Sequence, residues 1–181
     1  AGSDGGSAIT NYEYRVGSGS WTALSPADTA TPVTVPGLVN GTQVSIYLRA
    51  VTSAGSGTAS VAESVTPMTT PSAPTSLVAT AGNASASIAF TAGSDGGSAI
   101  TNYEYSVDGG AWTALSPADT TSPVTISGLT PQQASSIELR AANGVGTGGP
   151  SIPVSVTAIS PAAAPTGLVA TPGNARAVIA F

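Results

Sequence analysis

Residues 1–14, AGSDGGSAITNYEY, recur without change at residues 92–105. The same offset of 91 residues holds through the rest of the chain without insertion or deletion, and about 55 of the 90 superimposable positions are identical. Phe90, for example, recurs as Phe181. A period of this length is too long for a solenoid coil and fits a small autonomous domain. The sequence therefore predicts tandem copies of one domain.

The repeated stretch predicts a loop followed by a β-strand. Residues 3–7 are turn formers, because Gly tolerates positive φ and Asp can accept a hydrogen bond from its own backbone two residues on. From residue 9 onward apolar and polar residues alternate, as a half-buried strand requires. The predicted inward set is Tyr12, Tyr14 and Val16, and the outward set is Asn11, Glu13 and Arg15.

The same period of two predicts the other strands. After the tight turn at residues 108–110, residues 112–115 form a returning strand, and residues 32–35 form a short one. The predicted inward residues of the two last strands of the second copy are Ile137, Leu139, Ala141, Ile152, Val154 and Val156. Glu63 replaces Val154 in the first copy, so that end of the strand should be exposed. Short strands with frequent turns predict an all-β sandwich.

Composition excludes most enzyme mechanisms. The chain has no Cys, His or Lys, so it lacks thiol nucleophiles, imidazole bases and Schiff-base amines. We therefore expect no enzyme activity, no catalytic residues and no cofactor. Four Arg face nine carboxylates, giving a net charge of −5, which argues against a nucleic-acid partner. No window approaches 18 uninterrupted apolar residues, so no membrane span is expected, and the Ser, Thr, Asn and Gly content suggests an extracellular or cell-surface location.

Two groups of residues are candidate ligand sites, and each has a structural alternative. The acidic residues Asp4, Asp28, Asp95 and Asp119 offer oxygen ligands for calcium, but they lack a clustered Asp-x-Asp spacing, and turn capping is the favoured interpretation. The aromatic residues Tyr12, Tyr14 and Trp21, with their copies, form either a sugar-stacking platform or part of the core, which is favoured. We therefore assign no metal or cofactor site.

Several motifs carry a resemblance to a known family. They are the run at residues 73–77, the strand ending at Phe90, the loop and strand at 96–103, Gly128-Leu129, and the run at 141–146. Over its whole length the chain resembles tandem bacterial fibronectin type III domains. The resemblance implies that Pro74 opens strand A, Phe90 takes a core position in strand B, Tyr103 lies in strand C and Leu129 plugs the core. The tyrosine corner of that family is replaced by Val44 and Ser135, and no Arg-Gly-Asp motif is present.

The phase of the repeat predicts three parts. Residues 1–67 correspond to a repeat lacking strands A and B, residues 71–161 to a complete repeat, and residues 162–181 to strands A and B of a third. Proline-containing joints separate them and should be fairly stiff. A sandwich without strands A and B leaves an apolar face bare. Either the sequence is a window of a longer repetitive chain, or the end of one molecule completes the beginning of the next. In both cases we expect residues 164–181 to lie as strands A and B against the first repeat of the following copy.

The function predicted from these features is a structural or adhesive repeat segment of an extracellular bacterial fibre, stalk or sheath, assembling head to tail. Its main partners would be further copies of the repeat, with a cell-surface or matrix polysaccharide as a second candidate. The alternative is a spacer module of a secreted polysaccharide-degrading enzyme, with its catalytic domain elsewhere.

Overall fold

The computed structural model describes residues 4–181, and every regular element in that range is a β-strand. Within the described residues, no helix is long and apolar enough to cross a membrane. The strands of the first copy are β1 (Ile9–Val16), β2 (Thr22–Ala23), β3 (Val44–Thr52), β4 (Gly55–Ser56) and β5 (Glu63–Val65). Those of the second are β6 (Thr75–Gly82), β7 (Ser85–Thr91), β8 (Ile100–Val107), β9 (Thr113–Ala114), β10 (Val124–Ser127), β11 (Ala134–Asn143) and β12 (Val154–Thr157). The last two are β13 (Val169–Gly173) and β14 (Arg176–Ala180).

Residues 75–157, here called the middle unit, form a two-sheet sandwich. One sheet has the order β10-β7-β6 and the other has the order β12-β11-β8-β9. The alternation predicted for β11 is confirmed, because Ile137, Leu139 and Ala141 are completely buried. Ile137 and Leu139 pack with residues of the facing sheet, including Ile88 and Val124, in one hydrophobic cluster. The core therefore lies between the two sheets, as sheet-on-sheet packing requires.

Residues 9–65, here called the first unit, contain only one of these sheets. Its order is β2-β1-β3-β4, with β5 also paired to β3. Strands β1 and β3 pair in the same register as β8 and β11, since Tyr12 faces Ala50 as Tyr103 faces Ala141. No residue between 9 and 65 is fully buried. The first unit therefore keeps the fold of one layer without the layer that would cover it.

The last two strands form a separate hairpin, here called the terminal hairpin. Among the described residues, β13 and β14 pair only with each other. The register matches that of β6 and β7, because Val169 faces Ala180 as Val78 faces Ala89. The equivalent of the β6–β7 hairpin therefore forms here with all residues of both strands exposed. The division into 1–67, 71–161 and 162–181 stays a prediction, with residues 1–3 outside the described range.

Three strand predictions need correction. Residues 32–35 are not a strand in the first unit, although the equivalent β10 is one, because its partner β7 has no counterpart there. Ile152 is 86% exposed and lies outside the last strand, which begins at Val154. The strand expected at 112–115 is limited to the two residues of β9. The exposure predicted for Glu63 is confirmed.

Candidate functional site

The outer face of the middle unit carries a stacked Trp and Arg. The Arg140 guanidinium lies 4.4 Å from the centre of the Trp112 ring, and its Nε donates to Glu104 Oε2 at 2.7 Å. Arg140 lies on β11, between two inward residues, and therefore points away from the core. The sequence favoured a core position for the aromatic residues of each repeat. This prediction is correct for Tyr103, which is completely buried. It is wrong for Trp112, which is half-buried under Arg140.

The first unit has an equivalent stack with one additional Arg and one additional aromatic ring. Arg49 lies 4.3 Å from the centre of the Trp21 ring, and Arg15 lies 5.0 Å from Trp21 and 4.4 Å from Tyr47. Arg49 also donates from Nε to Glu13 at 2.5 Å. Exposed cation–π contacts contribute about 0.5–1 kcal/mol each, so the stack stabilises the pairing of β1 with β3. Because the protein's own guanidinium groups lie over the indole ring, the Trp21 face is poorly suited to stacking on a sugar.

The four candidate calcium-binding carboxylates cap turns. In each case Oδ1 accepts the backbone N–H two residues on, at 2.7–2.9 Å, from Gly6, Ala30, Gly97 and Thr121. Hydrogen bonds from the Thr121 backbone and hydroxyl lower the pKa of Asp119 below its ordinary value. No group of three acidic residues able to hold a metal occurs in residues 4–181. The geometry thus gives these aspartates a structural role.

The inner face of the first unit is open where the middle unit is filled. In the middle unit Phe90 meets Tyr103 edge to face, with ring centres 4.6 Å apart. Phe90 N–H also donates to Ser122 Oγ at 2.9 Å. The corresponding place in the first unit is a pocket lined by Tyr12, Ala30, Thr31, Val33 and Leu48. Tyr12, Thr31 and Val33 on the open face are therefore the repeat equivalents of Tyr103, Ser122 and Val124, which contact Phe90 or pair with β7 in the middle unit.

The terminal hairpin carries the complementary surface. Its large apolar residues are exposed, and Phe181, the repeat equivalent of Phe90, is 84% exposed. The other exposed members are Leu168, Val169, Val178 and Ile179. Contiguous exposed apolar surface is typical of interaction sites.

The joint between the first and middle units lies in a groove lined by glycine. The lining residues, here called the glycine groove of the middle unit, are Gly93, Gly96, Gly97 and Gly148. A Cβ on Gly96 or Gly148 would overlap the carbonyl oxygen of Thr69 or Pro71, respectively. Thr69 N–H donates to Gly96 O at 2.9 Å, and Ser72 N–H donates to Ser94 O at 2.8 Å. The joint is therefore held by backbone contact, and the stiffness expected from its prolines stays a prediction.

Asn143 clamps the joint from the other side. It follows a register shift at the end of β11, and its Nδ2 donates to Thr69 O at 2.8 Å and to Asp95 O at 2.8 Å. Its Oδ1 accepts the Val145 N–H at 2.9 Å, which fixes the amide orientation. Sequence reasoning missed both the clamp and the groove. The repeat of glycines in both copies was the available signal for the groove.

Comparison with known proteins agrees with this geometry. The family model described as "Fibronectin type III domain" matches residues 72–157, which is the middle unit. A crystal structure of several consecutive titin domains matches with a TM-score of 0.51 at 17% identity, covering 84% of this chain and 55% of that one. The FN1–FN3 domains of chicken contactin (CNTN1) match with a TM-score of 0.45 at 18% identity, covering 93% of this chain and 64% of that one. No curated protein matches the chain.

These findings define an all-β protein with a sandwich fold of the fibronectin type III kind, as the sequence predicted. The chain spans about half the length of the titin segment that it resembles. Domains of this type are commonly structural or adhesive modules, typically non-catalytic and typically extracellular.

Proposed function

We propose that this chain is a structural or adhesive repeat segment of an extracellular bacterial fibre, stalk or sheath, in which copies assemble head to tail. The main support is that the open face and the terminal hairpin are the repeat equivalents of two surfaces that pack together in the middle unit. The pocket lined by Tyr12, Thr31 and Val33 corresponds to the surroundings of Phe90, and Phe181 is the exposed equivalent of Phe90.

The pre-formed register of the hairpin supports this assembly. Ala170 faces Ile179 as Ala79 faces Ile88. The hairpin therefore already has the strand register of β6 and β7 in the middle unit. Docking a folded hairpin costs less conformational entropy than ordering a free chain. The interface would bury apolar side chains, because only 7% of the residues are charged. We therefore expect association that depends little on salt.

Sedimentation velocity over a range of protein concentrations tests the proposal. The 181-residue chain should form larger species as concentration rises, and a truncation to residues 1–161, which removes the hairpin, should not. Phe181→Ala should weaken association of the full chain. A wild-type chain that stays monomeric at high concentration would overturn head-to-tail assembly and favour the spacer alternative. The polysaccharide partner stays a prediction.

A further inference from the structure

We propose that the outer face of the first unit binds the outer face of the middle unit of a second copy of this chain, with Arg15 opposite Glu138. The outer face is the surface of β1 and β3, or of β8 and β11, that carries the stacked Trp and Arg. The contact joins chains side by side. It goes beyond head-to-tail assembly, because it uses neither the open inner face nor the terminal hairpin.

Opposite charges remain unpaired on these two faces. Each face has one internal ion pair, Arg49 with Glu13 in the first unit and Arg140 with Glu104 in the middle unit. No described carboxylate pairs with Arg15, and no described Arg pairs with Glu138. The first outer face therefore keeps an uncompensated cation, and the middle outer face keeps an uncompensated anion.

These two charges belong to the same cross-strand pair of the repeated sheet. Arg15 on β1 faces Tyr47 on β3, and the equivalent pair in the middle unit is Ser106 facing Glu138. The adjacent Trp, Arg and Glu are the same in both units. The two faces thus share one framework and differ in charge at one pair. Opposite charges on facing surfaces fix the register of an interface and select its partner.

The turn beside this pair differs in the same sense. Gly17 in the first unit is replaced by Asp108 in the middle unit, although the backbone contact of the turn to the neighbouring strand is 2.8 Å in both. Asp108 Oδ1 also accepts the Ser136 N–H at 2.7 Å, and Glu138 is the next residue on that side of β11. Two carboxylates therefore lie near each other on the middle face, where the first face has the cation Arg15.

Arg15 is held in place for such a contact. Its guanidinium lies 5.0 Å from the centre of the Trp21 ring and 4.4 Å from the centre of the Tyr47 ring. Its Nε is buried and has no hydrogen-bond partner among the described residues, so the terminal nitrogens are the ones that meet an incoming carboxylate. Trp, Tyr and Arg are also the residue types that contribute most to protein interfaces.

The outer faces are accessible irrespective of what covers the inner faces. The middle unit has its second sheet on the inner side, and Trp112 and Glu138 are still only half-buried on the other side. Arg15 and Trp21 are half-buried in the same way. The contact therefore needs no strand that the first unit lacks.

Charge reversal in the full chain tests the contact. All chains carry Phe181→Ala to remove the hairpin contact, and association is measured by sedimentation velocity at low salt. Arg15→Glu and Glu138→Arg should each weaken association about tenfold, because like charges then face each other. The double variant should restore association to within about twofold, since the pair forms again with its signs exchanged.

Arg176→Glu is the matched control, because it changes the net charge as Arg15→Glu does and lies outside both outer faces, on β14. It should leave association unchanged, and thermal melting checks that every variant folds. Arg15→Ser and Glu138→Tyr, which place the residue of the other repeat at each position, should give a smaller loss in the same direction. A double variant that associates no better than either single variant would overturn the pair. So would an Arg15→Glu chain that loses binding to polygalacturonate, a carboxylated polysaccharide, but keeps self-association.

Salt separates this contact from head-to-tail assembly. Raising the salt concentration from about 0.1 M to about 1 M shortens the screening length from about 10 Å to about 3 Å, which should dissolve the side-by-side contact and leave hairpin docking. Wild-type association that is wholly insensitive to salt would overturn the side-by-side contact alone. Wild-type association that is wholly lost at high salt would instead overturn the proposed function and leave the side-by-side contact standing.

Discussion

At the scale of single residues, Tyr103 is the largest completely buried side chain in the described part of the chain, and no described residue hydrogen-bonds its hydroxyl. An unsatisfied buried polar group costs about 1–3 kcal/mol. We expect Tyr103→Phe to stabilise the middle unit by about 1 kcal/mol at neutral pH, measured by chemical denaturation. Tyr12→Phe, at the equivalent position on the open face, is the control and should change stability little.

The same substitution should change the response to alkali. Burial raises the pKa of Tyr103 above its ordinary value of 10.0. The folded state therefore disfavours the phenolate, and wild-type stability falls as pH rises from 10 to the pKa of the folded state. The advantage of Tyr103→Phe should grow through that window. An advantage that stays constant above pH 10 would show that Tyr103 reaches solvent.

Phe90 is half-buried and packs against the core from its edge, where it contacts Tyr103. Removing a buried Phe side chain costs about 3–5 kcal/mol, and partial exposure places Phe90 near the lower limit. We expect Phe90→Ala to cost about 3 kcal/mol in a denaturant titration. Phe181→Ala is the matched control, because Phe181 is exposed in the monomer. Equal effects of the two substitutions at low concentration would contradict the assignment of Phe90.

At the scale of elements, strands with strict alternation were predictable from sequence, and strands that depend on a distant partner were not. The inward residues of β11 followed from the period of two alone. Residues 32–35 and the equivalent residues 123–126 have nearly the same sequence, PVTV against PVTI, and only the second stretch contributes to a strand, β10. The difference lies in β7, which pairs with β10 and places Ile88 opposite Val124 and Ala86 opposite Ile126. Local sequence contains no information about that pairing.

The candidate site was partly predictable for the same reason. The repeat phase predicted a bare face and a hairpin able to cover it, because both follow from the alignment of the copies. The position of Trp112 outside the core was not predicted, since an aromatic near a strand pattern fits either face. Its stacking depends on Arg140, 28 residues away in sequence, which only the β8–β11 register brings close.

This dependence on a partner gives an element-scale prediction. If a hairpin docks on the open face, residues 33 and 35 should pair with it as Val124 pairs with Ile88. Their amide hydrogens should become protected from exchange in the associated protein, measured by mass spectrometry. The truncation to residues 1–161 should leave them unprotected at every concentration. Absence of protection in associated wild-type protein would place the contact elsewhere.

At the scale of the whole molecule, the proposed contact joins two different surfaces, the open face of one copy and the terminal hairpin of the next. A heterologous contact of this kind propagates, and it gives an open fibre unless the rotation between copies closes a ring. Each joint in the middle of the assembly would have the same backbone contacts as the joint at residues 67–74. We therefore expect a regular repeat along the fibre.

Each copy contributes one terminal hairpin and one open face to the fibre. A copy that lacks the hairpin should therefore stop growth. The truncation to residues 1–161 keeps the open face, binds the free hairpin at one end of a fibre, and offers no hairpin to the next copy. Adding it at about one part in ten should shorten fibres to roughly ten copies, since each capped end accepts no further copy. Electron microscopy measures the length. Fibre length that does not change with the amount of added truncation would show that growth uses surfaces other than the open face.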